Sequence, residues 1–379
     1  MESPSVRTFE VRATQDCGWN TFLRRGRSTD PRDIRPNLRF LDHLHEAGFN
    51  WLLVFWANAS AFDESWARVS EHAHSLGIRV ARAIYGFAGT ETGEEFDPGT
   101  DVMGEPCVPS RLLRTSAWGT RTALCPHDGE TLAWVEAALA RRVDPAIDGI
   151  LFEPVSGLAE ECACERCRAL GRFGLDVLMT RLVTDRLRRL RPDLEIMLHA
   201  NASRRMRRGS REPVSRHDIA LGFRELPQSI RHVFGWLTDM TDEEVDTEAS
   251  LVDWLDADPR FQAYTRLSRA ILFPGGVEPA APVEERTAAA FRWARLAANR
   301  GKTAYSYDWR LFGGSEWEGH EREPPTTRIA AKLPASLALM GETMRDPRLD
   351  AKGQRELLRR LRKTTEWDLE SPALFYRGS

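Results

Sequence analysis

The stretch GILFEPVSGLAEECACERC, residues 149–167, governs how the rest of the chain reads. Its first part, Gly149-Ile-Leu-Phe152, is an apolar run too short for a helix and bounded by glycine and proline, so it predicts a buried strand. Glu153 closes that strand. Pro154 supplies no backbone donor and stops it there. A carboxylate just beyond four apolar residues is partly desolvated, which raises its pKa toward the range of a general acid; the alternative is a glutamate paired with an arginine at the strand end. Nine residues on, Cys162, Cys164 and Cys167 form C-x-C-x-x-C at the start of a long helical segment, Cys164 to Leu190, that ends before Pro192.

Working outward, the chain alternates short apolar runs with segments of helical periodicity. Upstream, residues 7–15 read as a strand, and Leu38–Ala47 as a helix stopped by Gly48. Residues 50–56 form a buried strand, 64–76 a helix ended by Gly77, and 78–85 the third strand. Residues 86–124, rich in Gly, Pro, Thr and Asp, form a long loop after strand three, and long loops in compact domains are often functional. A helix over 128–142 leads into strand four. Downstream, strand five covers 194–199. Strand six covers 230–236, with 218–223 as its alternative, strand seven 270–273 and strand eight 303–309. Helices fall near 246–256, 283–299 and 325–342. This is close to eight strand–helix pairs, with no Gly-x-Gly-x-x-Gly turn and no phosphate loop. The expected class is α/β, a closed (β/α)8 TIM barrel over residues 1–345. A C-terminal tail over 346–379, with a basic amphipathic helix near 351–363, is expected to pack on its outside.

The 379 residues are 42% hydrophobic and 29% charged, which suits a globular chain with ample core. The net charge of −3 gives no sign of a nucleic-acid partner. Only four of the 53 basic residues are lysine, a bias that base composition explains. No run approaches the roughly 20 apolar residues of a membrane span, and the first residues lack a secretion signal. Cytoplasmic residence is the expectation, and six cysteines there argue against a disulfide framework. The oligomeric state stays open, and a homo-oligomer is compatible with the sequence.

In such barrels the reacting groups stand at the C-terminal ends of the strands. The residues expected there are Asp16, Cys17 and Trp19; Trp56 and Asn58; Tyr85; Glu153; His199 and Asn201; Trp236 and Asp239; Glu278; and Asp308 with Trp309. Carboxylates and flat rings recur along this rim. Sugars stack apolar C–H faces on rings and bond hydroxyls to carboxylates and amides, so the rim suits a carbohydrate, although any single Trp can equally be core packing. Three thiolates at a helix start can bind zinc with a fourth ligand from elsewhere. Cys125 is the first choice, Cys107 the second and His127 the third. A closed four-thiolate site has no open position, so its role is structural; buried free thiols or a redox pair are the alternatives.

The order Cys125-Pro126, a helix beginning Thr131-Leu-Ala-Trp, Ile147-Asp-Gly-Ile-Leu-Phe-Glu153 and then C-x-C-x-x-C resembles the clan A (β/α)8 glycoside hydrolases. It is most similar to the family 42 beta-galactosidases and to uncharacterised barrels sharing their cysteine cluster. The specific resemblance covers residues 124–170. It implies Glu153 as acid/base at the end of strand four, and zinc on Cys125, Cys162, Cys164 and Cys167. Two departures stand out. Phe152 occupies the position of the family's asparagine, whose contact to the sugar 2-hydroxyl would pass to another amide such as Asn201. The nucleophile expected after strand seven is Glu278, in a loop unlike the family's, with Asp308 and Asp239 as rivals.

The function expected is a retaining O-glycoside hydrolase acting on a small oligosaccharide or glycoside. Catalysis falls to Glu153 with Glu278 or Asp308. Substrate binding falls to Trp56, Asn58, Tyr85, His199, Asn201, Trp236, Asp239 and Trp309. The rivals are a non-catalytic saccharide-binding barrel, and a metal-dependent sugar isomerase or lyase built on Glu153, His199 and Asp239.

Overall fold

Glycines that adopt a left-handed backbone close the first helices and set the strand spacing. Gly48 (φ 85°) and Gly77 (φ 73°) each end a helix, their amides bonding to His45 O and His74 O at 2.9 Å. The computed structural model describes residues 9–16, 35–54, 64–85, 108–116, 121, 123–143, 145–153, 162–200, 225–235, 255–256, 258–266, 283–309 and 337–364. In chain order the elements are β1 (Val11–Asp16), α1 (Arg35–Ala47), β2 (Trp51–Val54), α2 (Glu64–Ser75), β3 (Arg79–Tyr85), β4 (Leu113–Arg114) and β5 (Ala123–Leu124). There follow α3 (Gly129–Arg142), β6 (Gly149–Glu153), α4 (Glu165–Leu190), β7 (Glu195–Ala200), β8 (His232–Gly235) and β9 (Phe261–Arg266). The last are α5 (Val283–Asn299), β10 (Ala304–Trp309), α6 (residues 337–345) and α7 (Ala351–Thr364).

Eight strands follow one another as a closed barrel in the order β1-β10-β9-β8-β7-β6-β3-β2. The pairs β1–β10, β1–β2, β10–β9, β3–β6, β6–β7 and β7–β8 are parallel. The fold is the expected (β/α)8 barrel. No helix among the described residues is long and apolar enough to cross a membrane.

The chain divides into two compact units. The first comprises residues 1–54, 68–79 and 241–379 and carries β2, β1, β10 and β9. The Gln262 side chain accepts from the backbone amides of Thr303 (3.1 Å) and Ala304 (2.9 Å), which tethers the start of β10 to β9. Tyr307 is fully buried, and its hydroxyl donates to Thr343 Oγ1 of α6 at 2.6 Å, which in turn donates to Met340 O. Burial pushes the Tyr307 phenol well above its usual pKa, so this bond persists across the ordinary pH range. α7 packs on α5 and buries Leu357, Leu358 and Leu361.

The second unit, residues 55–67 and 80–240, carries β3, β6, β7 and β8. Ile150, Leu151 and Phe152 are buried beside Ile196, Met197 and Leu198. The sequence 149–152 is apolar at every position because both faces of this strand are covered. The Asp148 carboxylate accepts from Val80 N at 2.7 Å and sets the register of β6 on β3. α4 buries Leu175, Met179, Val183 and Leu187, one residue per turn, and an Arg186–Glu136 ion pair joins it to α3.

Two sequence expectations need correction. The strand beside β10, where strand seven was expected at 270–273, is β9, Phe261–Arg266, and residues 270–273 lie outside the described residues. The apolar run Ala270–Phe273 draws the eye, but Phe-Gln-Ala-Tyr-Thr-Arg has strong strand-forming side chains and starts from a Pro259 turn in which Phe261 N bonds Asp258 O. Residues 86–124 are not all loop either. They hold a short 3-10 turn at Ser110–Leu112 and the antiparallel pair β4–β5, whose two-residue strands are too brief to show periodicity. Strand six is β8, within 230–236; its alternative at 218–223 lies outside the described residues, as do most of the expected helices at 246–256 and 325–342.

Gly341 of α6 lies against the C-terminus of α1, and a Cβ there would overlap the Ala47 carbonyl, a backbone group with little freedom to yield. Replacing glycine by alanine inside a helix ordinarily stabilises by up to about 1 kcal/mol. Here Gly341→Ala is expected to destabilise by about 1–3 kcal/mol. A lowered denaturant midpoint at unchanged slope is the expected result.

Candidate metal centre and active site

Three short elements converge on the thiol cluster, all within the second unit. Cys125 follows β5 directly, and Asp128 N bonds back to Cys125 O at 3.1 Å. Cys162 pairs with Ser116 in an antiparallel bridge, and Ala163 N bonds Thr115 O at 3.0 Å, so the approach to α4 runs along the end of β4. Cys164 is the N-cap of α4, and its Sγ accepts from Cys167 N at 3.4 Å. A thiol here takes the place of the usual Ser or Asp cap.

The four sulfur atoms of Cys125, Cys162, Cys164 and Cys167 all lie within 4.8 Å of one another. Cys125 Sγ stands 3.8 Å from Cys164 Sγ and 3.9 Å from Cys167 Sγ. A regular tetrahedron with Zn–S bonds of about 2.3 Å has edges of about 3.8 Å, so the thiols fit a tetrahedral thiophilic ion. They are free thiols, not disulfides, and three of the four are buried. Burial, with Cys125 as neighbour, pushes the Cys162 thiol up to about 11, and burial raises Cys167 as well. Burial would also raise Cys164, but the Cys167 amide and the adjoining thiols bring it down to about 7. One thiol is thus near ionisation at neutral pH, and a bound dication would ionise the rest.

Cys125, the first choice for fourth ligand, is the one brought into the group. His127 is not among the four, and its pKa is lowered by burial and by Arg166. Cys107 lies outside the described residues. Sequence reasoning missed Asp128. It caps α3 by accepting from Glu130 N (3.1 Å) and Thr131 Oγ1 (3.2 Å), and it pairs with Arg114 of β4. The signal was present in Asp128-Gly-Glu-Thr before an apolar-periodic segment. Through this residue the hairpin is tied to α3 just as the sulfur atoms tie it to α4.

Those of the other expected residues that are described fall at or next to strand ends. Glu153 is the last residue of β6 and pairs in register with Tyr85, the last residue of β3. His199 in β7 pairs with Phe234. In the first unit Asp308 and Trp309 end β10, with Asp308 in register with Gln15 and Arg266, and Trp309 with Asp16. Arg266, at the end of β9, had not been expected there because strand seven was sought further on. Trp56, Asn58, Asn201, Trp236, Asp239 and Glu278 lie outside the described residues, as do the side chains of Tyr85, Glu153, His199, Asp308 and Trp309. The correction to strand seven leaves Glu278 twelve residues beyond the end of β9 rather than five beyond Phe273.

No protein-family profile matches the sequence, and no curated relative matches it. Solved structures do. Eubacterium rectale Amy13B is similar over 90% of this chain and 79% of its own, at 8% identity and a TM-score of 0.52. The GH20 exo beta-N-acetylglucosaminidase from Vibrio harveyi, in complex with N-acetylglucosamine, is similar over 99% of this chain at 13% identity and a TM-score of 0.50. This chain spans 60% of that protein. The likeness is one of fold, and the barrels that share it include glycoside hydrolases.

Two outcomes test the local architecture. Protein purified without added metal is expected to carry about one zinc per chain, and Cys125→Ser or Cys164→Ser to carry almost none, by elemental analysis. Asp128→Ala is expected to cost about 1 kcal/mol at neutral pH. Although burial alone would raise its pKa, the Glu130 amide, the Thr131 hydroxyl and Arg114 hold the Asp128 carboxyl below its ordinary value. Its stabilisation is therefore complete above pH of about 4 and fades as pH falls through the lowered folded pKa. The gap in stability between wild type and Asp128→Ala is expected to close in acid.

Proposed function

We propose that the chain is a carbohydrate-active enzyme, a retaining O-glycoside hydrolase acting on a small oligosaccharide or glycoside, with Glu153 as general acid/base. The observation that carries this is the position of Glu153. It closes the fourth strand of an eight-stranded barrel, nine residues before a cysteine group that also includes Cys125. That combination is what makes the sequence resemble the family 42 beta-galactosidases.

In this reading Glu153 protonates the departing glycosidic oxygen while a second carboxylate attacks the anomeric carbon. Glu153 then takes a proton from the water that releases the sugar. Asp308 is the favoured nucleophile, because it belongs to a strand end, and Glu278 is the alternative. Tyr85, His199, Trp309 and the remaining rim residues, Trp56, Asn58, Asn201, Trp236 and Asp239, would stack against the sugar and bond its hydroxyls. Zinc on the four cysteines supplies no chemistry to this step. It would fix the start of α4, nine residues beyond Glu153, as a support for the strand end that carries the acid/base. Cytoplasmic residence fits reduced thiols and points to short oligosaccharides rather than insoluble polymers.

The test is a panel of aryl glycosides. Glu153→Gln is expected to lose at least about 100-fold in kcat, with melting temperature and zinc content preserved. Full activity in Glu153→Gln refutes the assignment. Saccharide binding by calorimetry with no aryl release by wild type favours a non-catalytic barrel instead.

A further inference from the structure

α7 carries a charge pattern that the net charge of −3 conceals. Lys352, Arg355, Arg359 and Lys363 recur at helical spacing on one face, with Arg360 and Arg362 flanking them, and all six are exposed. Glu356 is the single acidic side chain of the helix. The opposite face buries Gln354, Leu357, Leu358 and Leu361. Lys352 to Lys363 spans about 16 Å at the helical rise. Some of the charge is neutralised: Arg362 pairs with Glu284 at 3.3 Å, Arg360 with Glu342 at 3.5 Å, and Arg359 approaches Glu356 at 4.0 Å. Among the described residues Lys352, Arg355 and Lys363 form no ion pair. Like charges four apart on a helix, as at Arg355 and Arg359 and again at Arg359 and Lys363, cost stability when left to solvent.

The stripe has a direction. α5 ends in the Gly301 turn that leads into the start of β10, so its first turn stands at the level of the strand C-terminal ends. Arg362, near the end of α7, pairs with Glu284 in that first turn. At the other end Arg295 bonds Pro347 O and Leu349 O at 3.2 Å, just before α7 begins. α7 therefore runs antiparallel to α5, and its basic face leads toward the strand ends that carry Asp308 and Trp309.

We infer that this face binds an anionic glycan, a chain bearing carboxylate or sulfate groups, and guides it to the rim; the choice of a glycan rests on the proposed hydrolase reading. A membrane surface fits poorly, because the apolar face an amphipathic helix would insert is already buried against the protein. A nucleic acid fits poorly too, because the chain is acidic overall, with a pI near 6.4, and would repel a dense polyanion away from this one helix. A glycan with charges spread along successive sugars matches the spacing of basic side chains along one helix face.

The experiment measures binding of the full chain to polygalacturonate, dextran, a short DNA duplex and phosphatidylserine vesicles at several salt concentrations. Wild type is expected to bind polygalacturonate, to release it as salt rises and to ignore dextran. Lys352→Glu/Arg355→Glu/Arg359→Glu is expected to weaken that binding at least tenfold while keeping the wild-type melting temperature. A second variant, Arg355→Gln/Arg359→Gln, is expected to give an intermediate loss and guards against a fold defect from charge reversal. Binding that is absent in wild type, or unchanged in both variants, overturns the inference. Tighter binding to the duplex or the vesicles also overturns it, in favour of that polyanion. Binding is read without turnover, so polygalacturonate retention by a chain that cleaves no aryl glycoside supports the surface and refutes only the enzymatic reading.

Discussion

Four sulfur atoms held within 4.8 Å are the constraint on which the strand-four end of this barrel depends. Apolar burial accounts for β6 and for α4, but it does not explain why the β4–β5 pair, the start of α3 and the start of α4 all meet at one point. The thiols do. Cys125 comes from the hairpin, Cys162 from a bridge to Ser116, and Cys164 and Cys167 from the first turn of α4. A thiophilic dication there would convert mutually unfavourable buried thiolates into a cross-link, and its binding energy would become folding energy for the elements it joins. Asp128, with Arg114, the Glu130 amide and the Thr131 hydroxyl, fastens the same hairpin from the other side.

Much of the fold was legible because its elements obey simple periodicities. The apolar run before Glu153, the glycine stops at 48 and 77, and the helix ending before Pro192 all have one reading. Strand seven was misplaced for a physical reason. β9 mixes Gln, Thr and Arg with Phe and Tyr, whereas the nearby Ala-Ile-Leu-Phe run looks more like a buried strand than the strand itself does. The hairpin at 113–124 was hidden because two-residue strands carry no period, and tertiary ties such as Arg114–Asp128 hold it instead.

The candidate site was legible to different depths. The C-x-C-x-x-C spacing points to a metal by itself, and Cys125 followed from its place before the helix leading into strand four. The strand-end place of Glu153 was legible because a carboxylate closing an apolar run is conspicuous. A second carboxylate has no such signature, because Glu278 closes no apolar run and Asp308 ends a strand that mixes Tyr and Ser with Ala. The basic face of α7 is the converse case. Its periodicity was plain in the sequence, but its relation to the rim appears only once Arg362 is seen beside Glu284 in the first turn of α5.

A thiol-ligated ion on Cys125, Cys162, Cys164 and Cys167 would brace the strand end that carries Glu153. X-ray absorption at the zinc edge on protein purified without added metal addresses it most directly. The account predicts four sulfur neighbours at about 2.3 Å and no oxygen or nitrogen ligand. An absent zinc edge together with a disulfide among Cys125, Cys162, Cys164 and Cys167, or a first shell containing water, would contradict it.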